Sequence, residues 1–254
     1  MLASYSLGAQ QLAGKDIVDK SNNVPSGNTM QYIANLTLTD KNGKIREREI
    51  SYYEKKFDNS QTTKSVVVFT TPKDVAGVSY LSFEYKEIAG EKKKESDDWL
   101  YMPAMKKVRR ISGSNKTDDF MGTDFTYEDI GTRSISKDTY AVKADETVNG
   151  RLCYKVECTA VDTSEKNPFR VLYIDKENFM LQKGEYYDRQ NKLQRELVCS
   201  DIQQLDGFWT CSSMTMTNVQ TNHTTLLALN NIQHNTDLKD AMFTVAALER
   251  GTAK

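Results

Sequence analysis

The residues of this chain with chemistry to offer are two histidines, four cysteines and a few adjacent carboxylates. His223 lies in the turn-like "TNHT", and neither it nor His234 has a cysteine or carboxylate at metal-ligand spacing. His223 is therefore expected in solvent. Cys153 and Cys158 are five apart on a predicted strand, so they point to opposite faces and cannot converge on a metal. Cys199 and Cys211 flank "QQLDGF". A two-residue Asp206-Gly207 turn would pair Cys199 with Met214 and put Cys211 on the other face, whereas an odd-length loop would bring the sulfurs together. Free thiols and a disulfide both stay open. The pairs Asp97-Asp98, Asp118-Asp119 and Glu128-Asp129 are neighbours along the chain, which on a strand means opposite faces and solvated charge rather than a catalytic dyad. "NLT", "NKT" and "NHT" fit the glycosylation acceptor pattern, a match short enough to arise by chance. No nucleophile elbow, Walker A loop or dinucleotide fingerprint occurs. This chemistry points away from an enzyme and calls for no cofactor and no metal.

Bulk properties narrow the field further. The 34 basic and 35 acidic residues of the 254 nearly cancel, so no field favours a nucleic acid. No run approaches a membrane-spanning helix. The beginning, "MLASYSLGAQQ", has small residues near Gly8 and Ala9 but no basic start and only a stub of apolar region. Residues 1–9 read either as the remnant of a secretion signal or as a frayed terminus, and residues 10–254 as a single β domain.

The elements that would position any site are mostly strands. Helical spacing occurs at "QQLAGKDIVDKSNN" and "DLKDAMFTVAALER"; between them the period is two. "TMQYIANLTLTD" puts Met30, Tyr32, Ala34, Leu36 and Leu38 on one face, and "DKNG" turns it into the charged strand "KIREREISYYE". "KSVVVFTTP", "VSYLSFEYKE", a charged hairpin "IAGEKKKESDD", "RLCYKVECTAV", "FRVLYID", "MLQKGEYYDR", "LQRELVCSDI", "FWTCSSMTMTN" and "TTLLALNNIQ" continue the pattern with short turns. Consecutive antiparallel strands with short turns make a meander. The expected fold is mainly β: one large antiparallel sheet, curled toward a half-open barrel because a sheet this wide cannot stay flat. Its concave face is wider than its own side chains can fill. Met30, Tyr32, Leu36, Leu38, Met214, Met216, Leu227 and Leu229 are the large, soft residues offered to that face, either as packed core or as the wall of an apolar cavity.

One stretch breaks the pattern. "DDWLYMPAMKKVRRISGSNKTDDFMGTDFTYEDIG", residues 97–131, starts as a strand, turns basic, then hangs Phe120, Met121, Phe125 and Tyr127 on a long polar connection. Its parts "DDWLYMPAMKKVRRI" and "FMGTDFTYEDI" resemble the signature of LolA-like outer-membrane lipoprotein-sorting proteins, in the branch found with RND-type transporters. The closing Phe243-to-Leu248 segment is similar to that family's end.

The resemblance implies a half-open barrel with a hydrophobic concave face and a lid. It also implies a monomeric periplasmic carrier that takes an acylated lipoprotein or lipid from an inner-membrane transporter to an outer-membrane acceptor. Phe120 to Tyr127 would then be the lid, polar outside and aromatic inside, with Trp99, Tyr101 and Pro103 starting the strand beneath it. The family's lid-holding arginine stands beside a proline, whereas Arg46 and Arg48 in "REREI" have no such neighbour. Of the alternatives Arg109 and Arg110, adjacent on a strand, only one can face inward toward lid carbonyls or an anionic head group. The rival expectation is a subunit that carries nothing and docks on an envelope complex through "KKVRR".

Overall fold

The computed structural model describes residues 12–88 and 94–251. The signal-remnant reading of residues 1–9 and the tip of the charged hairpin at 89–93 lie outside the described residues.

Fourteen strands form one antiparallel sheet: β1 (Thr29–Thr39), β2 (Ile45–Phe57), β3 (Thr62–Thr71), β4 (Ser79–Tyr85), β5 (Asp97–Met102), β6 (Lys107–Ile111), β7 (Asp138–Val142), β8 (Glu146–Val148), β9 (Arg151–Ala160), β10 (Phe169–Asp175), β11 (Leu181–Tyr187), β12 (Leu193–Leu205), β13 (Phe208–Asn218) and β14 (His223–His234). Short turns fix the hairpins. At the first, the Asp40 carboxylate accepts from the Asn42 and Lys44 amides at 2.8 and 3.0 Å, and Gly43 takes φ 78°. The strands β7 and β8, "DTYAV" and "ETV", are too short and polar to show a period in the sequence. Helical spacing survives as α1 (Gly14–Asn22) and α2 (Val245–Arg250).

The strand order is β6-β5-β4-β3-β2-β1-β14-β13-β12-β11-β10-β9-β7, with β8 on β9. Two hairpin meanders are thus joined at the β1–β14 pair, and the sheet stays open between β6 and β7. These edge strands follow one another in sequence. The chain from Ser112 to Lys137 must therefore cross the opening of the half-barrel, which makes it the strap that the fold itself requires.

Register sorts the side chains into two faces, since paired residues in an antiparallel sheet point the same way. The outer face of β3–β6 is covered by the C-terminal segment, where Phe243 and Leu248 are fully buried with Val66, Val68 and Leu81. The Thr244 hydroxyl caps α2 by accepting from the Ala247 amide at 3.1 Å. The inner face carries the strap across its middle and α1 over β9 and β10, where Ile17 and Val18 bury against Val156, Cys158 and Ile174.

Candidate functional site

The strap enters the inner face with Phe120. Its ring lies 5.8 Å from Phe69, 5.5 Å from Tyr80 and 5.2 Å from Tyr127, centroid to centroid, inside a cluster with Leu36, Leu38, Ile50, Tyr52 and Leu100. Around Phe120 this side of the inner face is packed. Tyr32 and Tyr52 stack at 4.5 Å, and burial raises the pKa of both phenols, holding them neutral.

Polar clasps tie the strap to the sheet. Arg48 of β2 donates through Nη1 to the Met121 carbonyl and lies over the Phe69 ring. Burial lowers its pKa. At Asp124 the backbone amide donates to Thr225 Oγ1 at 3.0 Å, while the Asp124 carboxylate accepts from the Thr225 hydroxyl at 2.7 Å and meets His223 Nδ1 at 2.7 Å. Arg195 of β12, 4% exposed, donates to the Asp124 carbonyl at 3.0 Å, to Asn167 Oδ1 at 3.0 Å and to the Asp129 carboxylate at 2.5 Å. Burial opposes its charge, but Asp129 outweighs that and raises its pKa. The exit is held by Arg133, which reaches Asp138, Glu128 and Glu165 at 2.9, 3.0 and 2.7 Å.

Beyond Phe120 the strap bridges rather than plugs. Between it, α1 and strands β10–β13 lies a cavity of about 420 Å³, within the roughly 300–1,000 Å³ of small-molecule pockets. Its floor is laid out in rows by the register. One row across β10, β11 and β12 is Arg170, Tyr186, Arg195. Two residues along, the next is Leu172, Gly184, Leu197, continued by Met216 on β13. The next pairs Cys199 with Met214. Gly184, between Leu172 and Leu197, makes room for the Tyr186 ring, whose nearest atom would stand 3.2 Å from an added Cβ. Phe125 of the strap packs over Leu197, Cys199 and Met216.

The sequence candidates separate on these two sides. Met30, Tyr32, Leu36, Leu38, Phe120, Met121 and Tyr127 meet in the filled half. Phe125, Met214 and Met216 line the cavity. Trp99 and Tyr101 do not lie beneath the strap: they face outward into the cluster under α2, because Leu100 takes the inward position between them. Pro103 opens a short 3-10 turn, Pro103–Met105. Arg109 and Arg110 are exposed; Arg110 pairs with Asp97 on the outer side, and neither bonds the strap, whose carbonyls are held by Arg48 and Arg195 instead.

Several expectations are corrected. His223 is not free in solvent but clasps Asp124. Asp98, 2% exposed, accepts from Tyr80, Ser82 and Ser96 and pairs with Lys116. Asp129 holds Arg195. The Asp206-Gly207 turn does pair Cys199 with Met214, yet Cys211 also lines the cavity, because Asp201 at φ 53° breaks the alternation of β12. The hydrogen bond between the two thiols pushes Cys199 up and Cys211 down. Sequence reasoning missed Asp124, Arg170, Gly184, Arg195 and Thr225. Alternation within "LQRELV" puts Arg195 on the same face as Leu197, the one available sign of an inward arginine.

Comparison with known proteins agrees with this architecture. A family model described only as an uncharacterised protein matches residues 61–250. No curated protein matches the sequence. A crystal structure of a DUF1329 family protein from Desulfovibrio piger has TM-score 0.84 and 28% identity, covering 92% of this chain and 97% of that one. A domain described as outer membrane lipoprotein-sorting, from Vibrio parahaemolyticus, has TM-score 0.83 and 28% identity over 93% and 98%. A LolA superfamily protein from Nitrosomonas europaea shares the fold at TM-score 0.69 and 17% identity over 93% and 99%. The fold and strap define a LolA-like half-barrel, and the chain belongs to the LolA-like family. Among the described residues, no helix is long and apolar enough to cross a membrane.

Proposed function

We propose that this chain is a non-enzymatic periplasmic carrier that shelters the acyl chains of a lipoprotein or lipid beneath the strap and hands them across the cell envelope. One observation carries the reading: a strap clasped to both halves of the sheet spans a cavity whose floor includes Leu172, Leu197, Met214 and Met216. Likeness to the lipoprotein-sorting domain at 28% identity supports it. Burial of an acyl chain contributes roughly 0.8 kcal/mol per CH₂. Release then needs the strap to lift, which breaks discrete clasps rather than the sheet. An inner-membrane transporter of RND type would load it and an outer-membrane acceptor unload it, the transporter supplying the energy.

Native mass spectrometry of the purified monomer, with organic extraction, tests this. An acyl lipid at one per chain, lost on Gly184→Leu, is expected. An apo mass that takes up no added lipid or lipopeptide sinks the reading. A second reading has its own observation: β6 is an open sheet edge with Lys107, Arg109 and Arg110 exposed. In that case the chain docks on an envelope complex through this edge, and Gly184→Leu leaves the docking unchanged.

A further inference from the structure

A second cavity, of about 300 Å³, lies where the tip of the β8–β9 hairpin, the β10–β11 turn and the part of β12 beyond Cys199 meet. Of the residues that line it, only Cys199 also lines the strap cavity. Its walls are fixed by their own bonds. Asp175, 1% exposed, accepts from the Glu177 and Asn178 amides at 2.8 and 3.4 Å, which sets the turn that carries Asn178, and from Arg151 Nε at 2.5 Å. Asn149 at the hairpin tip donates through Nδ2 to the Cys199 carbonyl at 3.1 Å. On the third side Asp201, at φ 53°, bends β12.

These bonds leave polar groups over. Gln182 of β11 is 4% exposed and lines the cavity, yet among the described residues its amide has no hydrogen-bond partner. A buried amide without partners is unfavourable, and this one borders space large enough to hold them. It asks for both an acceptor and a donor. Among the described residues Asn149 spends only its Nδ2 and Asn178 only its Oδ1, so each keeps the other end of its amide for a ligand.

Charge and shape refine the choice. Arg151, the one cation of the lining, is spent on Asp175 and Glu177, and Asp201 borders the same space, so an anion finds no welcome. Trp209 adds an aromatic surface. The volume stands at the low end of small-molecule pockets. Mixed donors and acceptors beside an indole match a small neutral molecule whose hydroxyls both donate and accept and whose C–H groups form an apolar face.

We propose that this cavity binds one neutral sugar ring, its hydroxyls on Gln182, Asn149 and Asn178 and one face on Trp209. The site is separate from the acyl cavity and does not depend on the carrier reading.

The test is ligand-observed NMR titration of the full chain with glucose, galactose and N-acetylglucosamine, each compared with glucose 6-phosphate. At least one neutral sugar should bind about tenfold or more tighter than the sugar phosphate. Binding of none of the three overturns the proposal, and so does a sugar phosphate that binds as well or better. Gln182→Met keeps the volume and removes the amide; it should weaken the best sugar about tenfold. Unchanged affinity would mean that water alone satisfies Gln182 and would overturn the assignment. Trp209→Leu, at a half-buried position, makes the same comparison if Gln182→Met does not fold. The methyl glycoside of the best sugar separates the sources: binding retained admits the end of a glycan or glycolipid, binding lost requires a free sugar, and either upholds the site. Failure here leaves the acyl-carrier reading, which lipid mass measures, where it stands.

Discussion

The two halves of the inner face are built from the same grammar and end differently. On β1–β4, large inward side chains meet the strap: Leu36, Tyr52, Phe69 and Tyr80 close around Phe120. On β10–β13 the inward rows include Gly184 and slender sulfur side chains, and Phe125 covers them without filling them. One half anchors the strap by packing; the other leaves it spanning space and holds it with polar clasps. A carrier needs both, because a strap packed along its whole length would leave no room for cargo. A strap packed nowhere would leave its clasps exposed to water, where hydrogen bonds contribute little.

The comparison is most sharply tested by truncating the two phenylalanines. Phe120→Ala should destabilise by about 3–5 kcal/mol, as a well-packed core phenylalanine does. Phe125→Ala should cost less and enlarge the cavity; urea denaturation of both checks this, and equal losses would erase the distinction between the halves. Next in size is the central clasp. Thr225→Val removes a fully buried hydroxyl from the Asp124 carboxylate and amide, which should cost about 1–3 kcal/mol and speed hydrogen exchange at the Asp124 amide more than at Phe120.

The strap's exit adds a pH dependence. Burial raises the Asp138 pKa, but Arg133 and Arg170 outweigh it and hold the carboxyl below its ordinary range. A depressed carboxylate pKa stabilises the fold above the unfolded value, about 3.9, and that contribution is lost as pH falls through the folded value. Acid titration followed by hydrogen exchange should therefore loosen residues 131–138 below about pH 4, before the Phe120 cluster yields, and Asp138→Asn should remove the dependence. Gly184→Leu and Leu36→Trp should each overpack and destabilise by about 1–3 kcal/mol in the same urea experiment: Gly184 is not among the positive-φ glycines, but a side chain there meets the Tyr186 ring at 3.2 Å. Lipid uptake should be lost with Gly184→Leu.

Much of the fold was legible in the chain. Period-two alternation at Met30–Leu38 and the turns "DKNG" and "LDG" specify strands and their register locally, since side-chain direction follows from counting residues. The strap announced itself too, as aromatic residues on a connection too long for a turn. The site was only half legible. Inward residues of β1 could be found, but not that they are packed, because whether a cavity remains depends on what faces them from far along the chain, as Phe120 faces Leu36 from 84 residues away. Trp99 and Tyr101 look like inner-face residues until Leu100 takes the inward position, and Cys211 seems to face away from Cys199 until Asp201 breaks the alternation.

The sequence by itself determined the meander, the inward residues of its long strands and a crossing segment rich in aromatics, because these follow from local periodicity and turn chemistry. Tertiary structure decided that β6 and β7 become the two edges, that Arg48 and Arg195 rather than Arg109 or Arg110 hold the strap, and that the open space lies over Leu172, Leu197 and Met216. Those outcomes depend on strand order and on contacts between distant segments. Such contacts obey no sequence period, since they are set by which surfaces fit once the sheet has curled.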